Sequence, residues 1–265
     1  MEVLSDGHLL AEAPRGLDDD SVLFSDVVAG GVFRVPPGGG VIETVVERRR
    51  GIGGLLPDAG GGILVTGRDL AIVTPGDEPR TLLAPDGATG LNDLTSDGVG
   101  GVLVGVLRFR PMAGEDPVPG EVWHVPCAVE QSRVVARDVL WPNGIGVSPD
   151  GTTLYVADFA QSLVFAYDRE DGAQRIFARA PRGSCDGLAI DSGGGVWVAL
   201  GPGEGIARFS PDGALDEILE IPGAFVSSLV FTGADLRTLI VTTATQVLRG
   251  ESPVAGAAVM PTAFG

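Results

Sequence analysis

Short hydrophobic runs that end in glycine-rich turns recur along the whole chain. In the fullest example, from Pro142 to Asp158, the turn Ser148-Pro149-Asp150-Gly151 separates apolar runs over 145–147 and 153–157. Proline at the second and glycine at the fourth turn position are typical of a type I β-turn. A second segment, from Cys185 to Leu200, repeats this arrangement. The pattern predicts many short strands and therefore an all-β fold.

The segments recur at a regular interval. Six units begin near Glu12, Gly53, Asn92, Asn143, Asp186 and Ser227. This spacing of roughly 40–50 residues, without helical periodicity, is that of a propeller blade. We predict one domain over residues 1–265, a six-bladed β-propeller. A sandwich of repeated hairpins is the alternative fold, but it does not account for the period. The longest unit carries a Pro- and Gly-rich insert from Arg108 to Gly120, which we interpret as a loop over one face.

Side-chain oxygens stand at four of the six unit starts. In a propeller the innermost strands surround a central channel, so residues at their starts should converge on the axis. Two carboxylates and two amides suit a hard divalent cation, with Ca²⁺ the first expectation and Mg²⁺, Mn²⁺ or Zn²⁺ as alternatives. Only two histidines are present, which argues against a zinc site built on histidine. The predicted ligands in this metal-binding channel are Glu12, Asn92, Asn143 and Asp186.

Composition and charge exclude several classes of partner. The chain has 265 residues, 44% of them hydrophobic, and a formal net charge of −17. Such a charge repels nucleic acid and anionic membrane surfaces. No apolar run is long enough to span a membrane and no signal-like segment is seen, so we expect a cytoplasmic protein. Nothing in the sequence indicates an obligate protein partner.

The motifs together resemble those of the SMP-30/gluconolactonase/LRE-like family of six-bladed propellers, which includes lactonases and phosphotriesterase-like enzymes. The resemblance covers nearly the whole chain, in the order Glu12-Ala13-Pro14, Leu91-Asn92-Asp93, Pro142-Asn143-Gly144 and Asp186-Gly187-Leu188-Ala189. It implies that the glutamate, the two asparagines and the aspartate of these motifs bind one divalent cation. It also implies that Asp186 is the general base or nucleophile.

The resemblance leads us to expect a metal-dependent hydrolase of a lactone or related ester. The cation would polarise the carbonyl group or lower the pKa of water, and Asp186 would accept a proton or attack directly. Fold and metal site do not fix the chemistry, so two alternatives stay open. One is isomerisation, elimination or cyclisation at the same site, and the other is a non-enzymatic, metal-stabilised binding propeller.

Departures from the family pattern bear on the substrate. Sugar-lactonase members often carry an arginine two residues before the Asn-Asp pair, where this chain has Gly90. Arg108 or Arg110 on the inserted loop could replace it, although a solvated loop arginine is the alternative interpretation. Trp141, just before the Pro-Asn-Gly motif, is expected at the pocket rim. We therefore expect a small-molecule substrate less polar than a sugar lactone.

Overall fold

The computed structural model describes residues Met1–Gly265, which form six four-stranded antiparallel sheets arranged as the blades of a propeller. This confirms the predicted all-β, six-bladed fold. The only helical segments are short 3₁₀ turns at Pro111–Ala113 and Val129–Gln131. No helix is long and apolar enough to cross a membrane.

Each blade has an inner strand at the channel and three further strands towards the outside. The inner strands of blades 1 to 6 are β2 (Ala11–Gly16), β6 (Leu55–Pro57), β10 (Gly90–Ser96), β14 (Pro142–Val147), β18 (Leu188–Ile190) and β22 (Val226–Thr232). The second strands are β3 (Val22–Asp26), β7 (Ile63–Val65), β11 (Val102–Leu107), β15 (Thr153–Asp158), β19 (Val196–Ala199) and β23 (Thr238–Thr243). The third strands are β4 (Gly31–Val35), β8 (Leu70–Val73), β12 (Gly120–Val125), β16 (Leu163–Asp168), β20 (Gly205–Phe209) and β24 (Gln246–Glu251). The outer strands are β5 (Glu43–Glu47), β9 (Arg80–Leu83), β13 (Arg133–Val139), β17 (Gln174–Arg179), β21 (Leu215–Glu220) and, for blade 6, β1 (Glu2–Asp6).

Burial falls from the channel outwards, and the hydrophobic pattern of the strands follows it. Every residue of β11 (VLVGVL) is buried, whereas four of the five residues of β5 (ETVVE) are exposed. The core lies between neighbouring sheets: the Tyr155 and Phe177 rings of blade 4 pack 4.8 Å apart, and Phe177 meets Phe209 of blade 5. Strands covered on both faces read as continuous apolar runs rather than alternating ones.

The sixth blade closes the ring with strands from opposite ends of the chain. Strand β1 pairs antiparallel with β24, so that Glu2 lies opposite Arg249 and Val3 opposite Leu248. This pairing joins the two ends of the chain within one sheet and so closes the ring.

The segment 252–265 crosses one face of the ring. The Ala257 N–H donates to the Ile190 carbonyl of blade 5, while Thr262 Oγ1 and the Phe264 N–H both donate to the buried Asp58 carboxylate of blade 2. This face holds the smaller of the two main cavities, about 250 Å³, with Met260 in its wall.

Candidate metal centre and substrate cavity

The four predicted ligands line one cavity of about 670 Å³. Glu12, Asn92 and Asn143 lie in inner strands of blades 1, 3 and 4, and Asp186 lies just before the inner strand of blade 5. All but the half-buried Asn92 are buried. Residues far apart in the chain thus converge on one cavity.

Irregular pairing at the inner strands turns these side chains towards the axis. The register shifts between Glu12 and Arg15, between Leu91 and Leu94, and between Pro142 and Ile145. Such bulges re-aim side chains and are common beside active sites. Asn143-Gly144, which could have been read as a turn, is instead part of strand β14.

Backbone strain accompanies the bulge in blade 1. Ala13 is buried and adopts a left-handed conformation with φ of 49°. A non-glycine residue there costs about 1–2 kcal/mol. The Ala13 N–H donates to Glu12 Oε2 at 2.9 Å, so this conformation helps to hold the carboxylate.

Two glycines allow the inner strands to approach closely enough to form the ring. A Cβ atom at Gly53 would overlap Asn92 Oδ1, and a Cβ at Gly144 would lie 2.7 Å from the Asp186 carbonyl oxygen. The Gly144 N–H donates to that same oxygen at 3.1 Å. Blade 2 therefore supplies space rather than an oxygen ligand at its unit start.

Three carboxyl groups crowd the centre of the channel. Burial raises the pKa of Glu12 to about 8, the charge of Asp93 adds to the shift, and the Ala13 N–H and Arg15 oppose it. Burial, then the charges of Glu12 and Asp93, raise the pKa of Asp186 well above its usual range, against hydrogen bonds from Asn143 and Gly187. These carboxylates lack enough positive charge around them, so a cation would stabilise their ionised forms.

Asp93 and Arg15 lie on the other side of the ring and line the smaller cavity. Burial raises the pKa of Asp93 to about 6, with Arg15 and the Leu94 N–H opposing the shift. The Arg15 guanidinium donates to the carbonyls of Pro14 and Leu94, while its buried Nε has no hydrogen-bond partner. Arg15 thus supplies one positive charge to the channel against three carboxyl groups.

The residues present fit a hard cation. Two carboxylates and two asparagine amides line one cavity, and their combined charge matches a divalent ion. No group of three or more His, Cys, Asp or Glu side chains is placed to hold a metal anywhere in the structure. A site at this position must therefore use the asparagine oxygens as well.

The two predicted substrate-binding residues have different positions. Trp141 lines the cavity, as does Arg110. Arg108 does not, because its guanidinium forms an ion pair with the Glu121 carboxylate and donates to the Asp86 carbonyl. Arg108 therefore makes a structural contact in blade 3, and Arg110 of the same loop is the arginine that lines the cavity.

Several cavity residues were missed from the sequence. Asp93 was adjacent to a predicted ligand, but simple strand alternation points it to the opposite face. Three phenylalanines of the cavity share no sequence motif. Phe109 and Phe159 follow second strands and Phe225 precedes an inner strand, and only these positions could have indicated the cavity.

Comparison with known proteins gives a consistent assignment. The SMP-30/gluconolactonase/LRE-like region matches residues 10–245. A 6-deoxy-6-sulfogluconolactonase of Pseudomonas putida is 30% identical over 91% of this chain and 85% of its own length. A pentonolactonase of Haloferax volcanii is 29% identical over 89% of this chain and 81% of its own.

Solved structures share the fold. A luciferin-regenerating enzyme superposes with a TM-score of 0.88 at 22% identity, covering 98% of this chain and 97% of its own. Regucalcin of Agrobacterium tumefaciens, described as a calcium-binding protein, superposes with a TM-score of 0.83 at 18% identity, covering 99% of this chain and 96% of its own. Since the family match spans most of the residues and every blade, the chain belongs to the SMP-30/gluconolactonase/LRE-like family.

Proposed function

We propose that the protein is a divalent-metal-dependent hydrolase of lactones or closely related esters. One observation carries this proposal: two buried carboxylates and two asparagine amides from four blades line the floor of a single cavity. The lactonase activity named for the two curated relatives supports the reaction class. The electrostatics of the channel support the need for a cation.

Glu12, Asn92, Asn143 and Asp186 would hold the cation. Ca²⁺ is the first choice because these ligands are all oxygen atoms and the structurally similar regucalcin is described as calcium-binding. Mg²⁺, Mn²⁺ and Zn²⁺ are the alternatives. When bound, the cation would supply Lewis acidity to the ester carbonyl of the substrate.

Asp186 would act as the general base. It would take a proton from the water molecule that adds to the carbonyl carbon, and return the proton to the alkoxide oxygen when the ring C–O bond breaks. The product is the open hydroxy acid. Asn143, whose side-chain amide lowers the pKa of the Asp186 carboxyl group, would keep that group oriented, and the bulged inner strands would hold both residues in place during the reaction.

Turnover is expected to require the cation. Protein treated with chelator should lose lactone hydrolysis and regain it when Ca²⁺, Mg²⁺, Mn²⁺ or Zn²⁺ is added back, because the carbonyl group is otherwise not polarised. Acid release from a panel of lactones and aryl esters would be followed in a pH-stat, with the spontaneous rate subtracted. Reactions in ¹⁸O-water should place the label in the product carboxylate.

Two results would overturn the proposal. Turnover that survives complete chelation would exclude dependence on the cation. A product that forms at the enzymatic rate without ¹⁸O would point to isomerisation, elimination or cyclisation instead. Binding of the cation and of lactones without any turnover would favour a binding propeller.

Cation affinity is expected to rise with pH through the neutral range. In the cation-free protein Glu12 is protonated below its pKa of about 8, and the raised pKa of Asp186 acts in the same direction. Cation binding must release these protons, so the affinity should rise by roughly tenfold per pH unit for each proton released. Calorimetric titration with Ca²⁺ at several pH values, in buffers of different ionisation enthalpy, measures the affinity and the number of protons released. In a Glu12→Gln variant the cation affinity should rise less steeply with pH. If the affinity of the wild type did not change between pH 6 and 8, the assignment would be contradicted.

A further inference from the structure

An arc of aromatic rings lines the same cavity as the four polar residues. The arc consists of Phe109, Trp141, Phe159 and Phe225, all of which line the cavity. Neighbouring ring centroids lie 5.6 Å apart for Phe109 and Trp141, 4.6 Å for Trp141 and Phe159, and 6.4 Å for Phe159 and Phe225. These separations are those of interacting aromatic pairs. The rings therefore form one continuous apolar surface.

The scaffold beneath the arc holds the central pair in place. The Phe159 N–H donates to the Trp141 carbonyl at 3.1 Å. The fully buried Asp158 carboxylate accepts hydrogen bonds from the N–H groups of Leu140, Trp141 and Gln161. Both rings thus project from hydrogen-bonded backbone at the ends of blade 4 strands, which gives a preformed wall.

The indole N–H of Trp141 differs from those of the other two tryptophans. Trp123 donates to Glu121 at 3.1 Å, and Trp197 donates to Asp191 at 3.0 Å. The Trp141 indole N–H makes no hydrogen bond within the protein and belongs to a half-buried side chain at the cavity wall. It is available to a ligand that stacks on the arc.

The part of the cavity wall formed by blades 1 and 2 offers few groups that could form hydrogen bonds with a hydroxylated ligand. Blades 1 and 2 contribute Gly51, Gly67 and the exposed side chains of Arg50 and Arg68 to the cavity. Arg68 is 84% exposed and lies beside Asp69. Apart from the four predicted metal ligands and Thr89, the polar side chains of the wall are arginines at the rim. Sugar hydroxyl groups placed against the arc would lose water without gaining partners, which costs binding energy for each unpaired group.

We infer that the aromatic arc selects lactones or esters carrying a flat aromatic or bulky alkyl substituent over polyhydroxylated sugar lactones. The inference rests on the proposed function for the placement of the ester at the polar floor. The substituent then lies on Phe159 and Trp141, and the Trp141 indole N–H donates to an oxygen of the same substrate. The volume of about 670 Å³ is in the range of sites for drug-sized ligands, which leaves room for a substituent beyond the lactone ring.

The inference is tested by binding as well as by turnover, so that it does not depend on catalysis. The probes are two six-membered lactams that resemble lactones but hydrolyse slowly: a phenyl-substituted valerolactam and a polyhydroxylated gluconolactam. Titration calorimetry, with the fluorescence of the cavity tryptophan as a second signal, measures both affinities with Ca²⁺ present. The wild type is expected to bind the phenyl lactam at least tenfold more tightly. The kcat/KM values of the matching lactones should show the same order.

Phe159→Ala should reduce this preference by roughly 10- to 100-fold, because the substituent loses its principal stacking surface. The ratio of the two affinities does not depend on the fraction of active protein. Phe33→Ala is the matched control: this ring is also half-buried and packs 5.5 Å from Phe24, but it does not line the cavity. It should leave the ratio unchanged.

Gly90→Arg provides a variant expected to shift the preference in the opposite direction. A Cβ atom at Gly90 would meet the Gly67 carbonyl oxygen at 3.4 Å and Leu107 Cδ1 at 3.9 Å, both ordinary contacts. The added guanidinium fills part of the cavity and donates to hydroxyl groups, so the gluconolactam should gain affinity relative to the phenyl lactam. Equal or tighter binding of the gluconolactam by the wild type would overturn the inference. Selective phenyl-lactam binding without hydrolysis of any lactone would support it and refute the proposed reaction.

Discussion

Replacing Asp186 by Asn is expected to lower kcat for lactone hydrolysis by about 10³-fold. The amide has the shape of the carboxylate and can still bind the cation through its oxygen, but it cannot accept a proton from the attacking water. Loss of a general base costs about 10²- to 10⁴-fold, equivalent to roughly 3–5 kcal/mol of transition-state stabilisation. Because the substitution also removes a ligand charge, kcat must be measured at a cation concentration that saturates the variant.

Asp191→Asn is the control for this substitution. Asp191 belongs to the same blade and is as deeply buried, but it accepts hydrogen bonds from Trp197 and Arg208 and does not line the cavity. Its replacement should lower the melting temperature and leave kcat close to that of the wild type. If Asp186→Asn kept more than a tenth of wild-type kcat at saturating cation, another group would have to be the base.

Replacing Gly144 by Ala is expected to destabilise the protein by about 3 kcal/mol and to weaken cation binding at the same time. The new methyl group would overlap the Leu188 nitrogen and lie 2.6 Å from the Gly187 carbonyl carbon. These are backbone atoms, so the inner strands of blades 4 and 5 must separate. Since Asn143 and Asp186 flank this contact, the separation also pulls two predicted ligands apart. Thermal unfolding and Ca²⁺ titration measure the two effects.

Gly90→Ala is the control for Gly144→Ala, because it adds the same methyl group to an inner strand without a backbone clash. Gly90 is also an inner-strand glycine, and its Cβ would have only ordinary contacts, the nearest at 3.4 Å. We expect its melting temperature and Ca²⁺ affinity to stay near those of the wild type. If the two variants behaved alike, close approach of the backbones at Gly144 would not be what shapes the site.

The sequence predicted the fold well because the propeller repeats itself. Each unit carries its own hydrophobic runs and turn, so an error in one unit is corrected by the others. What the repeat could not show is how the ring closes. Strand β1 precedes the first unit and resembles no part of it, yet it completes blade 6 by pairing with β24.

The candidate site was predictable only where a residue stands at a repeated position. Asp186 and Asn143 head their units, and the structure places them at one cavity. Asp93 and Phe159 escaped notice, the first because strand alternation points it away from the cavity of the predicted ligands and the second because loops carry no periodicity. Arg108 and Arg110 are two residues apart on one loop, and only the position of Glu121 determines which of them is held away from the cavity.

The pairing of β1 with β24 also sets the order of events during synthesis. Strand β1 is made first and must wait, unpaired, until residues 246–251 have been added, a delay of roughly 10–50 s at ordinary elongation rates. Until then blade 6, whose inner strand packs against β2 of blade 1, lacks its outer strand. We therefore expect the four predicted ligands to reach their final spacing only after β24 has been synthesised. During the delay, β1 is an unpaired edge that neighbouring nascent chains could bind.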